Sequence, residues 1–299
     1  MRISDTQFSQ MMLSSLSKNN VGLGEVMQQM STGDRLTKLS DDPIDSIKLL
    51  NLGREGSALT QYQTNIANVK TTLSSQEAYL DTASESLKSL RDLVLWGSNG
   101  TMTDEDRQGI ITEMESLKEG LQAVFNAQDE EGIYLFSGTQ TDTPALTDTG
   151  AGYTLNGNAD KRLVTVAKGV TMESNVTALE LLDLGGGATV FQKIDDLIAE
   201  FQAPTANFRT EVNDTLAAID STFGNVLGAM TDMGGRHNNL DLMADGHTDN
   251  KLFVDKVEGD LKNLDYAEAS VRLSNYLSAL QATQASFTKI NDLSLFDRL

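Results

Sequence analysis

Cysteine is absent from the 299-residue chain, which excludes a disulfide framework and any thiolate metal site. Proline occurs only three times and aromatic residues make up 6%. A large β-sandwich would want more of both, whereas long helices tolerate their scarcity. No run of about 18 apolar residues exists, so no segment is expected to span a membrane. The opening MRISDTQFSQMMLSSLSKNN has no apolar stretch of the kind a Sec signal peptide needs. Basic residues are few: 23 Lys and Arg face 43 Asp and Glu, for a net charge of −20. Residues 1–40 and 265–299 are each nearly balanced, so the middle carries the excess. A negative body repels nucleic acid. Near-neutral ends suit close packing against like copies, where repulsion would be costly.

Catalytic signals are missing too. His237 and His247 stand ten apart, whereas helical zinc sites use i, i+4 spacing with carboxylate support. Asp241, Asp245, Gly246 and Asp249 lack the alternating oxygens and closing Glu of a calcium loop. Gly22-Leu23-Gly24 and Gly185-Gly186-Gly187 have neither the preceding strand nor the spacing of a phosphate cradle. There is no GxSxG and no plausible triad. The expectation is a non-enzyme without catalytic residues, cofactor or metal.

What the chain does have is seams. Leu59, Tyr62, Ile66, Val69, Leu73, Gln76, Leu80, Ala83, Leu87, Leu90 and Val94 alternate spacings of three and four, with only Gln76 polar. A stripe held at about 3.5 residues per turn stays on one side and needs a partner helix. Asp42 as N-cap, Pro43 at the first helical position and Asp45 in the first turn predict where this helix starts. Gly97-Ser98-Asn99-Gly100 predicts its end. Thr103 and Asp106 look like a capping box for a following helix with Ile110, Met114, Leu117, Leu121, Val124 and Gln128.

Gly132 to Thr139 reads as a strand or tight turn. From about 141 to 187 the period changes. Tyr153-Thr154-Leu155, Leu163-Val164-Thr165-Val166 and Val170-Thr171-Met172 predict short strands between turn signals. So small an insertion is expected to lean on the helical body. Helical spacing resumes at Val190, Ile194, Leu197 and Phe201, and Ala203-Pro204 breaks it. A long pattern runs from Phe208 to Leu240, and Phe253, Val257, Leu261 and Leu264 continue it in shifted phase. The pattern predicts a mainly α fold: a hairpin of long coiled-coil helices, both termini paired at one pole, a small β-rich insertion at the other. Three domains are expected: 1–40 with 265–299, 41–140 with 188–264, and 141–187.

The terminal seams are Leu13, Leu16, Asn20, Leu23, Met27 and Met30, and Leu273, Tyr276, Leu277, Leu280, Phe287 and Ile290, followed by Leu295 and Phe296. Asn20 is a polar residue at a seam position, where it can fix register or partner number. Two paired helices leave apolar surface open. These residues are therefore the candidate subunit interface.

Gln29-Met30-Ser31-Thr32-Gly33-Asp34-Arg35-Leu36, then Ser40-Asp41-Asp42-Pro43-Ile44, resembles the N-terminal signature of the flagellin superfamily. Asp265-Tyr266-Ala267-Glu268-Ala269, Leu280-Gln281-Ala282 and Ser286-Phe287 resemble its C-terminal one. Tyr134 to Thr139, Thr141-Asp142-Thr143-Pro144 and the ending Leu293-Ser294-Leu295-Phe296 look like the hook–filament junction branch. The alternative within the superfamily is a flagellin-type filament subunit. Ala145-Leu146 departs from the branch, where an aromatic is expected.

This resemblance implies an extracellular structural protein of the bacterial flagellum. Its terminal helices would form an inner domain, unordered in the free monomer. Its copies would form a ring between hook-associated protein 1 and flagellin. It would pass from the cytoplasm unfolded through the flagellar type III apparatus, with an export chaperone on the C-terminal helix.

Overall fold

A computed structural model describes residues 5–98, 102–150, 152–185 and 189–296. The chain order is α1 (Asp5–Thr32), α2 (Pro43–Gly97), α3 (Asp104–Phe125), β1 (Leu146–Asp148), β2 (Tyr153–Leu155), β3 (Leu163–Ala167), β4 (Val170–Glu173), α4 (Ala178–Leu182), α5 (Val190–Gln202), α6 (Phe208–Lys262) and α7 (Tyr266–Phe296). The fold is mainly helical, as the seams predict. Two compact units emerge: Met1–Ala58 with Asp249–Leu299, and Leu59–Thr248.

Local chemistry sets the helix starts. Asp42 Oδ1 accepts from the N–H groups of Ile44 and Asp45, both at 3.1 Å. Thr103 and Asp106 form the reciprocal capping box, satisfying two N–H groups that a bare helix end leaves orphaned. α3 stops at Phe125, so Gln128 falls beyond it and instead bridges to Tyr134. The Gly132 to Thr139 stretch is turns around that bridge, with no strand.

In the 59–248 unit the α2 seam is the core. Ile66, Val69, Leu73, Leu80, Ala83, Leu87, Leu90 and Val94 are buried with Ile110, Met114 and Leu121 of α3, Ile194 and Leu197 of α5, and Val226, Met233 and Leu240 of α6. Gln76, the one polar seam residue, is fully buried. Its Nε2 donates to the carbonyls of Leu135 (2.6 Å) and Val176 (3.2 Å), and its Oε1 accepts from the Val176 N–H (3.0 Å). It satisfies backbone that enters the core without secondary structure of its own.

The insertion holds two antiparallel hairpins, β1–β2 and β3–β4. It leans on helices through apolar and polar contacts. Leu146, Val166 and Leu181 join the main core. Asn65 Nδ2 donates to the Thr165 carbonyl (2.7 Å), and His247 Nε2 lies 2.7 Å from the Val166 carbonyl. On β2, Tyr153 packs tilted on Phe191 of α5, beside Lys118, whose ammonium holds Asp195 at 2.5 Å. Burial alone would lower the Lys118 pKa, but the bond to Asp195 and the neighbouring Tyr153 win and raise it. Burial, the largest cause, likewise raises the Tyr153 phenol.

α6 runs unbroken through the phase shift. The shift carries a correction: Phe253, placed on the seam by the sequence pattern, is 66% exposed, and Val254 is buried instead.

Candidate assembly surface

α1 and α7 run antiparallel, since Tyr266 Oη donates to the Met30 carbonyl (3.3 Å) while Tyr276 lies against Gly22. Their shared core is small: Val26, Leu264 and Ala269, flanked by Met30, Leu273 and Tyr276. Gly22 is buried because it is a hole. A Cβ there would stand 2.5–2.8 Å from the Tyr276 ring atoms. Gly33, with φ +77°, ends α1 in the left-handed region glycine favours. At the start of α7, Asp265 Oδ1 accepts from the Ala267 (2.8 Å) and Glu268 (3.2 Å) N–H groups.

Polar bonds tie the two helix joints together. Asp34 bridges Asn263 antiparallel, the Leu264 N–H donates to the Gly33 carbonyl (2.9 Å), and the Arg35 N–H to the Lys262 carbonyl (2.7 Å). The Arg35 guanidinium donates to the Leu261 carbonyl (3.1 Å) and to Asp45 Oδ2 (2.7 Å), while Gln29 Nε2 donates to the Arg35 carbonyl (2.8 Å). Arg35 thus satisfies a carbonyl that the end of α6 leaves unpaired. The Arg35 bond, then that of Lys48, holds the Asp45 carboxyl below its ordinary value. The Lys38 N–H does most to lower Asp41, with Thr37 helping.

The predicted interface residues divide. Met30, Leu273 and Tyr276 pack on the α1–α7 core. Leu16, Leu23 and Leu280 are half-buried, and Asn20 is exposed. Leu13 and Met27 are 58% and 59% exposed, with Leu277 and Phe287 also open. The side chains of Ile290, Leu295 and Phe296 lie outside the described residues. The buried face of α1 is Gly22, Val26 and Met30, and the Leu13, Asn20 and Met27 stripe lies beside it. α1 is therefore apolar over two neighbouring faces, and α7 covers one.

Sequence reasoning missed a second group in the same unit. Leu39, Ile44, Ile47 and Leu50 near the start of α2, and Leu252, Phe253 and Val271, are each more than half exposed. The apolar i, i+3, i+6 run at Ile44, Ile47 and Leu50 was the available signal. Among the described residues, most exposed large apolar side chains lie in this smaller unit, and no group of His, Cys, Asp and Glu is placed to hold a metal.

The chain is similar to known proteins of the bacterial flagellum. Residues 3–141 match the bacterial flagellin N-terminal helical region. The chain is 26% identical over 289 residues to flagellar hook-associated protein 3 of Escherichia coli K12, covering 90% of each. It is 24% identical to hook-associated protein 3 of Salmonella typhimurium, covering 99% of each. A solved structure assigned as a flagellar hook-associated protein of Vibrio parahaemolyticus is 64% identical, superposes with a TM-score of 0.72, and covers 75% of this chain and 100% of its own. By fold and by sequence, the chain belongs to the flagellar hook-associated proteins.

Proposed function

We propose that copies of this chain form the ring joining hook-associated protein 1 to the flagellin filament. One observation carries the reading: the unit holding both termini has a core of little more than Val26, Leu264 and Ala269, yet exposes Leu13, Met27, Ile44, Ile47, Leu252 and Phe253. Exposed apolar surface of that extent beside so small a core marks an interaction site. Residues 1–40 with 265–299 act as the assembly domain, 41–140 with 188–264 as the bundle, and 141–187 as the outer domain. The Leu13–Met30 and Leu273–Phe296 stripes meet neighbouring subunits. Before assembly an export chaperone covers the C-terminal helix, and the chain leaves the cytoplasm through the flagellar type III apparatus to its place on the extracellular flagellum.

The test is a strain lacking this gene, viewed by electron microscopy. The expected result is intact hooks, no filaments, and unpolymerised flagellin in the medium. Normal filaments would refute the reading. In sheared wild-type flagella the chain should be a trace band, since a filament subunit would dominate the preparation.

A further inference from the structure

We infer that the first turns of α2 and the last turns of α6 carry the two halves of a head-to-tail contact between neighbouring copies of this chain. The inference rests on the ring reading and names the faces that meet. A Cβ built on Gly56 lies 3.7 Å from Val254 Cγ1, which fixes the sides on which α2 and α6 face each other. Leu49 and Leu52, half-buried, share the Gly56 side. Ile47 precedes Gly56 by nine residues, about two and a half turns, and so points the opposite way. Ile44 and Leu50 extend its stripe one turn in each direction. On α6, Leu252 stands about 200° around from the buried Val254, with Phe253 beside it.

The helix pair therefore has two unlike apolar faces on opposite flanks. Unlike faces set back to back suit a heterologous contact, which closes into a ring, better than an isologous one. Charge favours the same match. Arg54 stands on the α2 stripe with Glu55 alongside, while the Lys48 ammonium is taken up by Asp45 (3.1 Å); Asp249 and Asp260 bracket the α6 face, with Lys256 between them. The α2 stripe thus offers the exposed Arg54 cation and the α6 face is net acidic, in a chain of net charge −20 where cations are scarce.

The cysteine-free chain allows a direct test. The full-length Ile47→Cys/Leu252→Cys variant is expressed in place of the native copy, and its flagella are purified and mildly oxidised. Non-reducing gels should show a ladder of dimers and larger multiples, and either single variant should show monomer alone. An intrachain bond is barred because the two faces point apart. Monomer alone from the double variant, with the protein present in the flagella, overturns this contact and leaves the ring reading standing. Dimers from a single variant, or a cross-link to a different protein, overturn it as well. Absence of the chain from purified flagella overturns the ring reading and the contact with it. In a second measurement, Arg54→Glu should lower incorporation into flagella, and adding Asp249→Arg should restore it; no restoration counts against the pairing.

Discussion

At the scale of single residues, polar seam positions and glycines decide more than apolar ones. Gln76 breaks an otherwise apolar stripe, and the structure shows why: it satisfies the Leu135 and Val176 backbone inside the core. Gln76→Leu keeps the volume but orphans these groups, so chemical denaturation should show a loss of about 2–4 kcal/mol. Glycines make a sharper contrast. Gly22→Ala would drive a methyl into the Tyr276 ring, whereas Gly24 has open space around it. Gly22→Ala should speed proteolysis of the α1–α7 pair, while Gly24→Ala should slow it, with a helix gain of about 0.5–1 kcal/mol. Asp41 is exposed and Asp45 half-buried, and hydrogen bonds hold both as anions, so their effect is local. Because their folded pKa values lie below the unfolded one, their contribution is present above about pH 4 and is lost as pH falls through the lowered values. The Thr37 and Lys38 amide NMR shifts should therefore titrate with a midpoint below about 3.9, and Asp41→Asn should flatten them.

For the secondary-structure elements, legibility followed length. The Asp42-Pro43 start, the Thr103 capping box and the long α2 seam are local signals repeated over many turns, and all three are plain in the sequence. Thr103→Ala removes the hydroxyl half of the box and leaves Asp106 accepting from the residue 103 N–H, so thermal unfolding should show α3 losing about 1 kcal/mol. Strands β2, β3 and β4 were also visible, because β-branched residues cluster between turns. β1 was not: Leu146-Thr147-Asp148 is three residues long, and only pairing with β2 makes it a strand. α4, five residues from Ala178, is too short to display a period. The α1 stripe was displaced by one position because Gly22 and Val26 form the contact with α7. A glycine carries no apolar signal, so a hole in a seam cannot be found by counting hydrophobic residues. The Phe253 displacement on α6 came from a seam that drifts around a long helix.

Across the whole molecule, the two units differ in how much they hide. The 59–248 unit buries a continuous core spanning α2, α3, α5, α6 and the insertion. The unit with both termini relies on a few apolar contacts and the polar ties at Arg35. Local stability should follow, since few buried contacts mean easy opening. In dilute, purified protein, amides of residues 5–32 and 266–296 should exchange quickly while those of 66–94 stay protected. In assembled flagella both sets should be slow, as mass-spectrometric exchange would show. The assembly surface was half legible for a related reason. Stripes at the termini stood out by their spacing, but the outward flank at Ile44 and Leu252 became meaningful only once Gly56 and Val254 showed which side was inward.

The fit of the Tyr276 ring into the notch at Gly22 also works as a gauge of length. Sliding α7 along α1 by one turn, about 5.4 Å, would bring the phenol against Lys18 or Val26, and neither leaves a vacancy for it. Every copy must therefore seat α7 against α1 at one axial setting, so all copies would bring the same helix pair, in the same register, to the proposed ring.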